Sequence, residues 1–387
     1  MDNDRSLKIA IFTDTYHPAV DGVVKYIDNI RNELESRGHE VYVFAAGNRA
    51  TKELSNADKK LFVFYGINFR KYKQYTLAAN PILTRIVGKI KPDLIHSQTP
   101  FSMGLLGLIA SRRYKIKMLS TFHTFINSDE LIEKYLNKNK SLLRISKRLL
   151  VQYMRYFYSR NSIVIAPSEY SKRILSRIGV KNVVVVPNGV NPPSEISKSY
   201  ARRKLGIRPK ERIILYMGRI GHEKNLNFLV SVSDKIAELG ATLVIGGSGP
   251  ALSELEDYVS KNRLPNIKFL GFVSESEKNA YYKAADVFVN PSNIEILSTV
   301  DIEAMVNGTP ILVPAMTSQE EFLRKGKCGE KFNQNDPDDF IRKLKIMFRN
   351  LDKYNPQRCA KEYSIKNSVD RLLEVYYSLL KEDVRTS

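Results

Sequence analysis

Two carboxylates with a fixed spacing lie in the second half of the chain. Glu295 and Glu303 are separated by seven residues and fall between apolar runs at 286–289 and 311–313. The pattern predicts a strand, a loop holding Glu295, a helix holding Glu303, and a second strand. In an open α/β sheet, such loops and helix starts meet at the carboxyl ends of the strands, where ligands bind. Both side chains could bind one ligand with hydroxyls and phosphates, or could be solvated surface glutamates.

Two cations occupy a similar position. Arg219 and Lys224 follow an apolar run at 213–217, so the pattern places them in a loop at a strand end. A guanidinium can bind two phosphate oxygens and an ammonium adds a point charge, which together suit a diphosphate. The glycine-rich turn at 246–249 would let a ligand approach the backbone closely. Solvated cations and an ordinary glycine turn are the alternatives at this point.

The first half contributes a glycine and a histidine at strand ends. Gly22 lies between a strand pattern at 8–13 and a helix pattern, where backbone N–H groups could approach a phosphate or sugar. The dinucleotide fingerprint G-x-G-x-x-G is absent there. His123 follows a strand-like run at 117–122 and is placed to face a cleft. An ordinary turn glycine and a core or capping histidine are the alternatives.

These residues must be positioned by an α/β fold in two domains. The 387 residues, 43% of them hydrophobic, suffice for two domains with real cores. Strand and helix patterns alternate up to a break at Asn191-Pro192-Pro193 and then restart. We therefore assign 1–190 and 191–365 to separate domains. The segment 363–381 has the apolar spacing of a long amphipathic helix.

The composition restricts the partners and the location. The formal net charge of +20 predicts an anionic partner, such as nucleic acid, an acidic membrane surface or a phosphorylated substrate. Cys328 and Cys359 have no metal-site spacing and require no oxidising compartment. The polar residues 1–5 do not begin a signal peptide, and no apolar run approaches the roughly 20 residues of a membrane span. We expect a cytoplasmic protein, soluble or peripheral to a membrane.

Basic residues are concentrated between 137 and 177, where apolar and aromatic residues recur at helical spacing. A basic amphipathic helix with aromatic residues is typical of a membrane-surface segment. An ordinary domain helix with a solvated basic face is the alternative. The residues predicted to bind an anionic membrane surface are Lys140, Arg144, Lys147, Arg148 and Arg155.

The order and spacing of these features resemble a known family, the GT-B-fold retaining glycosyltransferases with an E-x7-E motif. The resemblance covers nearly the whole chain. Its matching residues are Pro18 with Gly22, His123-Thr124, Pro187-Asn188-Gly189-Val190, Gly218-Arg219, Glu223-Lys224-Asn225, the turn at 246–249, and Glu295 with Glu303. The segments at 13–24, 96–102 and 120–124 look most like the diacylglycerol glucosyltransferase branch, whose members glycosylate membrane lipids.

The resemblance implies a GT-B architecture, in which two Rossmann-like parallel-sheet domains face each other across a cleft. Residues 1–190 would bind the acceptor and residues 191–365 the nucleotide-sugar donor. In this fold the closing helix crosses back to the first domain, so residues 366–387 are assigned there.

The resemblance also implies roles for individual residues. Arg219 and Lys224 would bind and stabilise the donor diphosphate, Glu295 the transferred sugar, and Glu303 the ribose. His123 would contact the sugar near the reacting carbon. Retention in this family needs no protein nucleophile, so the glutamates are not a glycosidase pair. Further donor contacts would come from Gly22, Gly218, Gly247, Leu297, Ser298 and Thr299.

The implied reaction transfers a hexose, with UDP-glucose as the first expected donor and UDP-galactose and GDP-mannose behind it. The acceptor would be a membrane lipid such as diacylglycerol, and the enzyme would be peripheral on the inner face of the cell membrane. A soluble sugar or polysaccharide acceptor is the serious alternative. No cofactor or metal is expected, because no D-x-D motif lies in a cleft loop, and Asp336-Pro337-Asp338 falls in a late polar turn.

Two departures from the family pattern leave details open. Ile296-Leu297-Ser298 replaces the usual Gly-Phe-Gly or similar, which bears on the donor sugar. Asp21 stands where many members have a second glycine, which bears on acceptor contacts. Neither departure removes the cations at 219 and 224, so we expect an active enzyme.

Two other protein classes could also be considered. A nucleic-acid-binding protein fits the charge, but no RNA- or DNA-binding motif is present and the basic residues concentrate on one amphipathic stretch. Salt-dependent binding to duplex DNA without response to anionic vesicles would favour it. A nicotinamide-dependent dehydrogenase is disfavoured by the missing glycine fingerprint and by the arginine–lysine pair.

Overall fold

In the computed structural model, the chain folds into two units. The described residues are 5–19, 21–68, 76–78, 80–123, 140–193 and 195–381. One unit comprises residues 1–189 and 365–387, and the other comprises residues 190–364. The sequence placed the corresponding boundaries after residues 190 and 365.

The first unit contains a seven-stranded sheet and a two-stranded antiparallel ribbon. Its strands are β1 (Lys8–Thr13), β2 (Glu40–Gly47), β3 (Leu61–Tyr65), β4 (Ile67–Asn68), β5 (Thr76–Leu77), β6 (Leu94–Ser97), β7 (Lys117–Thr121), β8 (Ile163–Ala166) and β9 (Val183–Val185). The large sheet has the order β3-β2-β1-β6-β7-β8-β9, and all its pairs are parallel. The ribbon is formed by β4 and β5. The central strands are buried on both faces, which explains their unbroken apolar runs.

Helices alternate with these strands. They are α1 (Gly22–Ser36), α2 (Arg49–Leu54), α3 (Ile82–Ile90), α4 (Ser102–Tyr114), α5 (Lys140–Tyr158) and α6 (Glu169–Arg177). Polar caps begin several of them: Ser168 and Ser171, for example, form a reciprocal capping box at the start of α6. The basic stretch at 137–177 therefore contains two helices separated by β8.

The second unit has a six-stranded parallel sheet. Its strands are β10 (Arg212–Met217), β11 (Ala241–Gly246), β12 (Ile267–Gly271), β13 (Val287–Val289), β14 (Ile311–Pro314) and β15 (Gly329–Phe332). The strand order is β12-β11-β10-β13-β14-β15. Because all strands are parallel, the segments that follow β10, β11 and β13 emerge at one edge of this sheet.

The helices of the second unit are α7 (Lys198–Lys204), α8 (Leu226–Ser231), α9 (Ser233–Glu238), α10 (Leu252–Lys261), α11 (Glu275–Ala284), α12 (Thr299–Val306), α13 (Glu320–Leu323), α14 (Pro337–Arg349) and α15 (Pro356–Ala360). Val232 separates α8 from α9, so the segment 226–238 forms two short helices. The polar turn predicted at 336–338 was wrong in detail. Asp336 caps α14 by accepting from the N–H groups of Asp338 and Asp339, and Pro337 starts the helix.

The amphipathic pattern predicted a closing helix, which is α16 (Ile365–Lys381), and this helix belongs to the first unit, as the resemblance implied. Its apolar face, which includes Val369 and Leu372, packs with Ile27 and Ile30 of α1 in one buried core. Arg37 at the end of α1 forms an ion pair of 2.5 Å with Asp370. The two parallel-sheet units and the returning helix agree with the predicted α/β fold class.

Candidate active site

The loop after β10 is fixed against the glycine turn after β11. The N–H of Gly218 donates to the carbonyl of Gly246 over 3.0 Å, and the N–H of Ile220 donates to the carbonyl of Ser248 over 2.9 Å. Gly247 has φ +135°, and a Cβ there would lie 1.8 Å from the carbonyl oxygen of Gly218. Only glycine allows this approach between the two loops. The predicted donor residues Gly218 and Gly247 are thus brought together.

Lys224 and Glu295 form the central contact of this edge. Lys224 ends a 3-10 helix at His222–Lys224, which the left-handed Asn225 terminates. The Nζ atom of Lys224 donates to Oε1 of Glu295 over 2.6 Å, and both side chains are largely buried. The loop after β10 is therefore joined to the loop after β13.

Arg219 lies in the same loop and is more exposed. Its Nη1 atom donates to Oε1 of Glu223 over 2.5 Å, and half of its side chain is accessible. The carbonyl of Arg219 accepts from the hydroxyl of Tyr216 over 2.8 Å, so the backbone is anchored while the guanidinium reaches solvent. Such a guanidinium can bind an anionic ligand at this edge.

The loop holding Glu295 ends at the start of α12. Ser298 caps this helix, and its Oγ atom accepts from the N–H of Asp301 over 3.4 Å and from the side-chain amide of Asn290 over 2.9 Å. The N-terminal residue of α12 is Thr299, and Leu297 precedes the cap and is partly buried. A helix start of this kind offers N–H groups to an anion or hydroxyl.

Glu303 lies on α12 and contacts α11. Its Oε2 atom accepts from the hydroxyl of Tyr282 over 2.9 Å and lies 3.3 Å from Nζ of Lys278. The two glutamates of the spacing motif therefore use different cations, Lys224 for Glu295 and Lys278 for Glu303. The sequence had assigned no role to Lys278.

A third carboxylate, Asp301, lies between the two glutamates and was not predicted. Its side chain has no exposed surface. Burial raises its pKa to about 7, and the nearby Glu295 contributes to the rise. Gln319, also fully buried, donates to Asp301 Oδ2 over 2.9 Å. A short helix of weak apolar periodicity gives no sequence signal that an aspartate faces inward.

In the first unit, Gly22 begins α1 and Asp21 caps it. The carboxylate of Asp21 accepts from the N–H groups of Val23 and Val24, each over 2.9 Å, and from the Thr15 hydroxyl over 2.7 Å. Asp21 therefore caps the helix where many family members have glycine. A Cβ at Gly22 would meet nothing within 4 Å, so protein packing does not require a glycine there.

His123 follows β7, as predicted, and is held at a ring nitrogen. Its Nε2 atom lies 2.8 Å from Oε1 of the buried Gln98, and its ring packs edge-on against Tyr26 at 4.8 Å. Burial lowers the pKa of His123 to about 3, so the imidazole is neutral near pH 7. A neutral imidazole hydrogen-bonded at Nε2 keeps Nδ1 for a second polar contact.

The predicted membrane-binding residues lie on α5. Arg144, Arg148 and Arg155 are exposed and Lys147 is partly buried, whereas the side chain of Lys140 falls outside the described residues. Met154 and Phe157 face the protein. Among the described side chains of the same helix, four large apolar ones are exposed: Ile145, Leu149, Val151 and Tyr156. No helix among the residues described here is long and apolar enough to cross a membrane.

Two family models together match residues 20 to 367. Residues 20–212 match Glycosyltransferase Family 4, and residues 197–367 match Glycosyl transferases group 1. The chain is 31% identical over 319 residues to the alpha-monoglucosyldiacylglycerol synthase of Streptococcus pneumoniae. The aligned region covers 79% of this chain and 70% of that protein. The chain therefore belongs to the glycosyltransferase family that these two models and the synthase represent. The glycosyltransferase is also 29% identical over 347 residues to the alpha-monoglucosyldiacylglycerol synthase of Acholeplasma laidlawii, covering 85% of this chain and 86% of that protein.

A solved structure of the same fold extends over both units of the glycosyltransferase. The Anabaena protein Alr3699/HepE, crystallised with UDP and glucose, has a TM-score of 0.72 and 20% identity, covering 96% of this chain and all of that one. At this identity the likeness establishes the GT-B fold and no more. The predicted GT-B fold is thereby confirmed, and the family models with the Streptococcus pneumoniae synthase confirm that the chain is a glycosyltransferase.

Proposed function

We propose that this glycosyltransferase moves a hexose, with retention, from a nucleotide sugar to a membrane lipid such as diacylglycerol. UDP-glucose is the first expected donor. The observation that carries this proposal is the similarity to two alpha-monoglucosyldiacylglycerol synthases over most of the chain. The arrangement of cations and carboxylates at one edge of the second sheet supports it.

The donor diphosphate would be bound by Arg219 and Lys224. The Arg219 guanidinium is half exposed, and an ammonium has three donors, of which Glu295 accepts one from Lys224. As the bond between the sugar and the diphosphate breaks, negative charge grows on the departing phosphate oxygens. Positioned cations stabilise that charge more than they stabilise the bound donor, which lowers the barrier.

The two glutamates would then orient the donor. Glu295, held by Lys224, would accept hydrogen bonds from hydroxyls of the transferred sugar. Glu303, held by Lys278 and Tyr282, would accept from the ribose. The helix start at 297–299 and the close pair Gly218 and Gly247 would contact the phosphates or the sugar. Contacts of His123 with the sugar and of Gly22 with the phosphates stay predictions from the resemblance. We expect no metal requirement, which EDTA treatment would test.

Association with an anionic membrane would come from α5. Its exposed apolar residues lie beside exposed arginines, and this is the composition of helices that rest in a lipid interface. At its C-terminal end, Arg155, Arg160 and Lys181 line a pocket of about 480 Å³, and none of the described residues that line it is acidic. The guanidinium of Arg160 lies 3.5 Å from the ring centre of the exposed Tyr156. Localisation at the inner face of the membrane follows as part of this proposal.

The decisive experiment measures consumption of a panel of nucleotide sugars with and without anionic vesicles that contain diacylglycerol. Consumption of one donor only with lipid, with a glycolipid as product, supports the proposal. Equal consumption without lipid would favour a soluble sugar or polysaccharide acceptor, and α5 would then be an ordinary helix with a solvated face. Retention is tested by the anomeric configuration of the product.

A further inference from the structure

A buried polar chain lies behind the loop that carries Glu295. It joins three segments of the second unit: the end of β13, the helix α12 and the residue before α13. Its members, Asn290, Asp301 and Gln319, have at most 1% of their surface exposed. The motif formed by Glu295 and Glu303 gives none of these three residues a role.

The hydrogen bonds of this chain run from Asp301 to Glu295. The side-chain amide of Gln319 donates to Asp301 Oδ2 over 2.9 Å and to the backbone carbonyl oxygen of Asn290 over 3.2 Å. The side-chain amide of Asn290 donates to Ser298 Oγ over 2.9 Å and to Glu295 Oε1 over 3.4 Å. The loop from Glu295 to the helix cap at Ser298 is therefore attached to Asp301 through two buried amides.

This chain of hydrogen bonds leaves two buried polar atoms unsatisfied. Among the described residues, Asp301 Oδ1 and Gln319 Oε1 are buried acceptors without a hydrogen-bond partner. Buried acceptors without donors destabilise a fold, and an apolar core would avoid them. One proton on Asp301 would turn a carboxylate oxygen from an acceptor into a donor.

The groups that face Asp301 do not neutralise its charge. Among the described residues, the ionisable groups that interact with it include Glu295 from the preceding loop, Tyr216 from β10, Tyr282 from α11 and Cys328 before β15. None of these groups is cationic. Ionisation of Asp301 therefore adds a negative charge behind Glu295, at the edge where an anionic diphosphate would bind.

We propose that Asp301 is a positioning residue, which through Gln319 and Asn290 holds Glu295 and Ser298 in the donor-binding geometry and does so best when protonated. This inference rests on the proposed donor-binding role of Glu295. Asp301 has no exposed surface, so it acts on the donor only through the residues that it contacts, Gln319 and Ser298 among them. Its effect therefore falls mainly on donor binding.

The test compares Asp301→Asn, Asp301→Leu and Gln319→Met by steady-state kinetics and UDP-glucose binding between pH 6 and pH 8. In the wild type, we expect the KM for the donor to rise several-fold over this range. Asp301→Asn keeps the amide link but cannot ionise, so its KM should stay near the pH 6 value of the wild type. Asp301→Leu and Gln319→Met break the link, and we expect a KM raised about tenfold at every pH with a smaller change in kcat.

The matched control is Asp286→Asn. Asp286 is also buried in this unit, but it pairs with Arg202 and Lys198, 2.8 and 2.7 Å away. We expect this variant to lower stability and leave the donor KM and its pH profile unchanged. Equal KM values and pH profiles for the wild type and all three Asp301 and Gln319 variants would overturn the inference. A wild type that binds no nucleotide sugar would instead overturn the proposed function.

Discussion

The ammonium of Lys224 lies 2.6 Å from a carboxylate oxygen of Glu295, and this contact joins the loop after β10 to the loop after β13. The proposed donor site therefore has a cation and a carboxylate that position each other. We expect Lys224→Ala to lower kcat/KM by about 10² to 10³, because a charge that stabilises the leaving diphosphate is removed. Arg219→Ala should act in the same direction.

Circular dichroism and thermal unfolding would check that these variants fold. Lys235→Ala is the matched control, since Lys235 is a surface cation of the same unit that pairs with the exposed Asp338. Near-normal turnover of Lys224→Ala or Arg219→Ala would contradict the diphosphate assignment.

Gly247 of the second unit and Gly22 of the first unit should respond differently to substitution by alanine. Gly247→Ala places a methyl group against the Gly218 carbonyl at φ +135°, so we expect a loss of stability and of donor binding. Gly22→Ala meets no atom within 4 Å and should fold normally. If Gly22→Ala nevertheless loses activity, we would infer that bound substrate occupies the space next to Gly22. Chemical unfolding and donor titration separate the two effects, and a Gly247→Ala variant with wild-type stability would contradict the packing argument.

Vesicle binding should depend on the cations of α5. Each Lys or Arg near an anionic surface contributes about 1 kcal/mol, so the triple variant Arg144→Gln, Arg148→Gln, Arg155→Gln should partition about a hundredfold less onto anionic vesicles. Binding of the wild type should also weaken with added salt.

The control removes two exposed charges elsewhere in the unit, Arg112→Gln with Arg177→Gln. This variant should partition almost like the wild type in the same flotation assay. Equal losses in both variants would mean that net charge, and not α5, drives binding.

Two buried histidines of the first unit, His96 and His123, should not titrate near neutrality. Burial lowers the pKa of both His96 and His123 to about 3, so each stays neutral in the folded protein while an unfolded histidine binds a proton below about pH 6.5. Stability should therefore fall as the pH is lowered from 6.5 toward 3. Imidazole signals of His96 and His123 that stay constant in NMR between pH 5 and 8 would confirm this. A shift near pH 6.5 would contradict it.

Asp301 should have the opposite effect on stability. Its folded pKa, raised by burial to about 7, exceeds the unfolded value near 3.8, so the folded state retains a proton that the unfolded state has lost. The stabilising contribution of this proton is fully present below pH 4 and is lost as the pH rises through 7, by about 1.4 kcal/mol per unit. Asp301→Asn should gain stability relative to the wild type between pH 5 and pH 8 in urea titrations. A constant difference would contradict the raised pKa.

The sequence was sufficient where the signal is local. Apolar runs and turn residues located strands such as β1, β7, β10, β13 and β14. The spacing of Glu295 and Glu303 placed one in a loop and the other on a helix. The partners of these residues could not be predicted in the same way. The contacts of Glu295 with Lys224 and of Glu303 with Lys278 depend on which strands are neighbours, and this order is a property of the whole sheet.

Burial of polar residues was also inaccessible to sequence reasoning. Asp301 and Gln319 resemble surface residues in composition, and only tertiary packing shows that neither is exposed. Asp21 is a different case: it departs from the family pattern, and it caps α1 through the N–H groups of Val23 and Val24. The burial of Asp301 and Gln319 is explained by the hydrogen bond between them, which no periodic pattern in the sequence predicts.

The return of α16 to the first unit has a consequence for the order of folding during synthesis. Tyr376 of this helix is fully buried and lies 2.7 Å from Nδ1 of His96 in β6. The core of the first unit is therefore completed only after residue 376 has been made, whereas residues 190–364 form a continuous unit. The first unit thus completes its core only after the second unit has been synthesised, although domains usually fold from the N-terminal one onward on the ribosome. Until then, the nascent first unit exposes the apolar face of α1, which a chaperone can recognise.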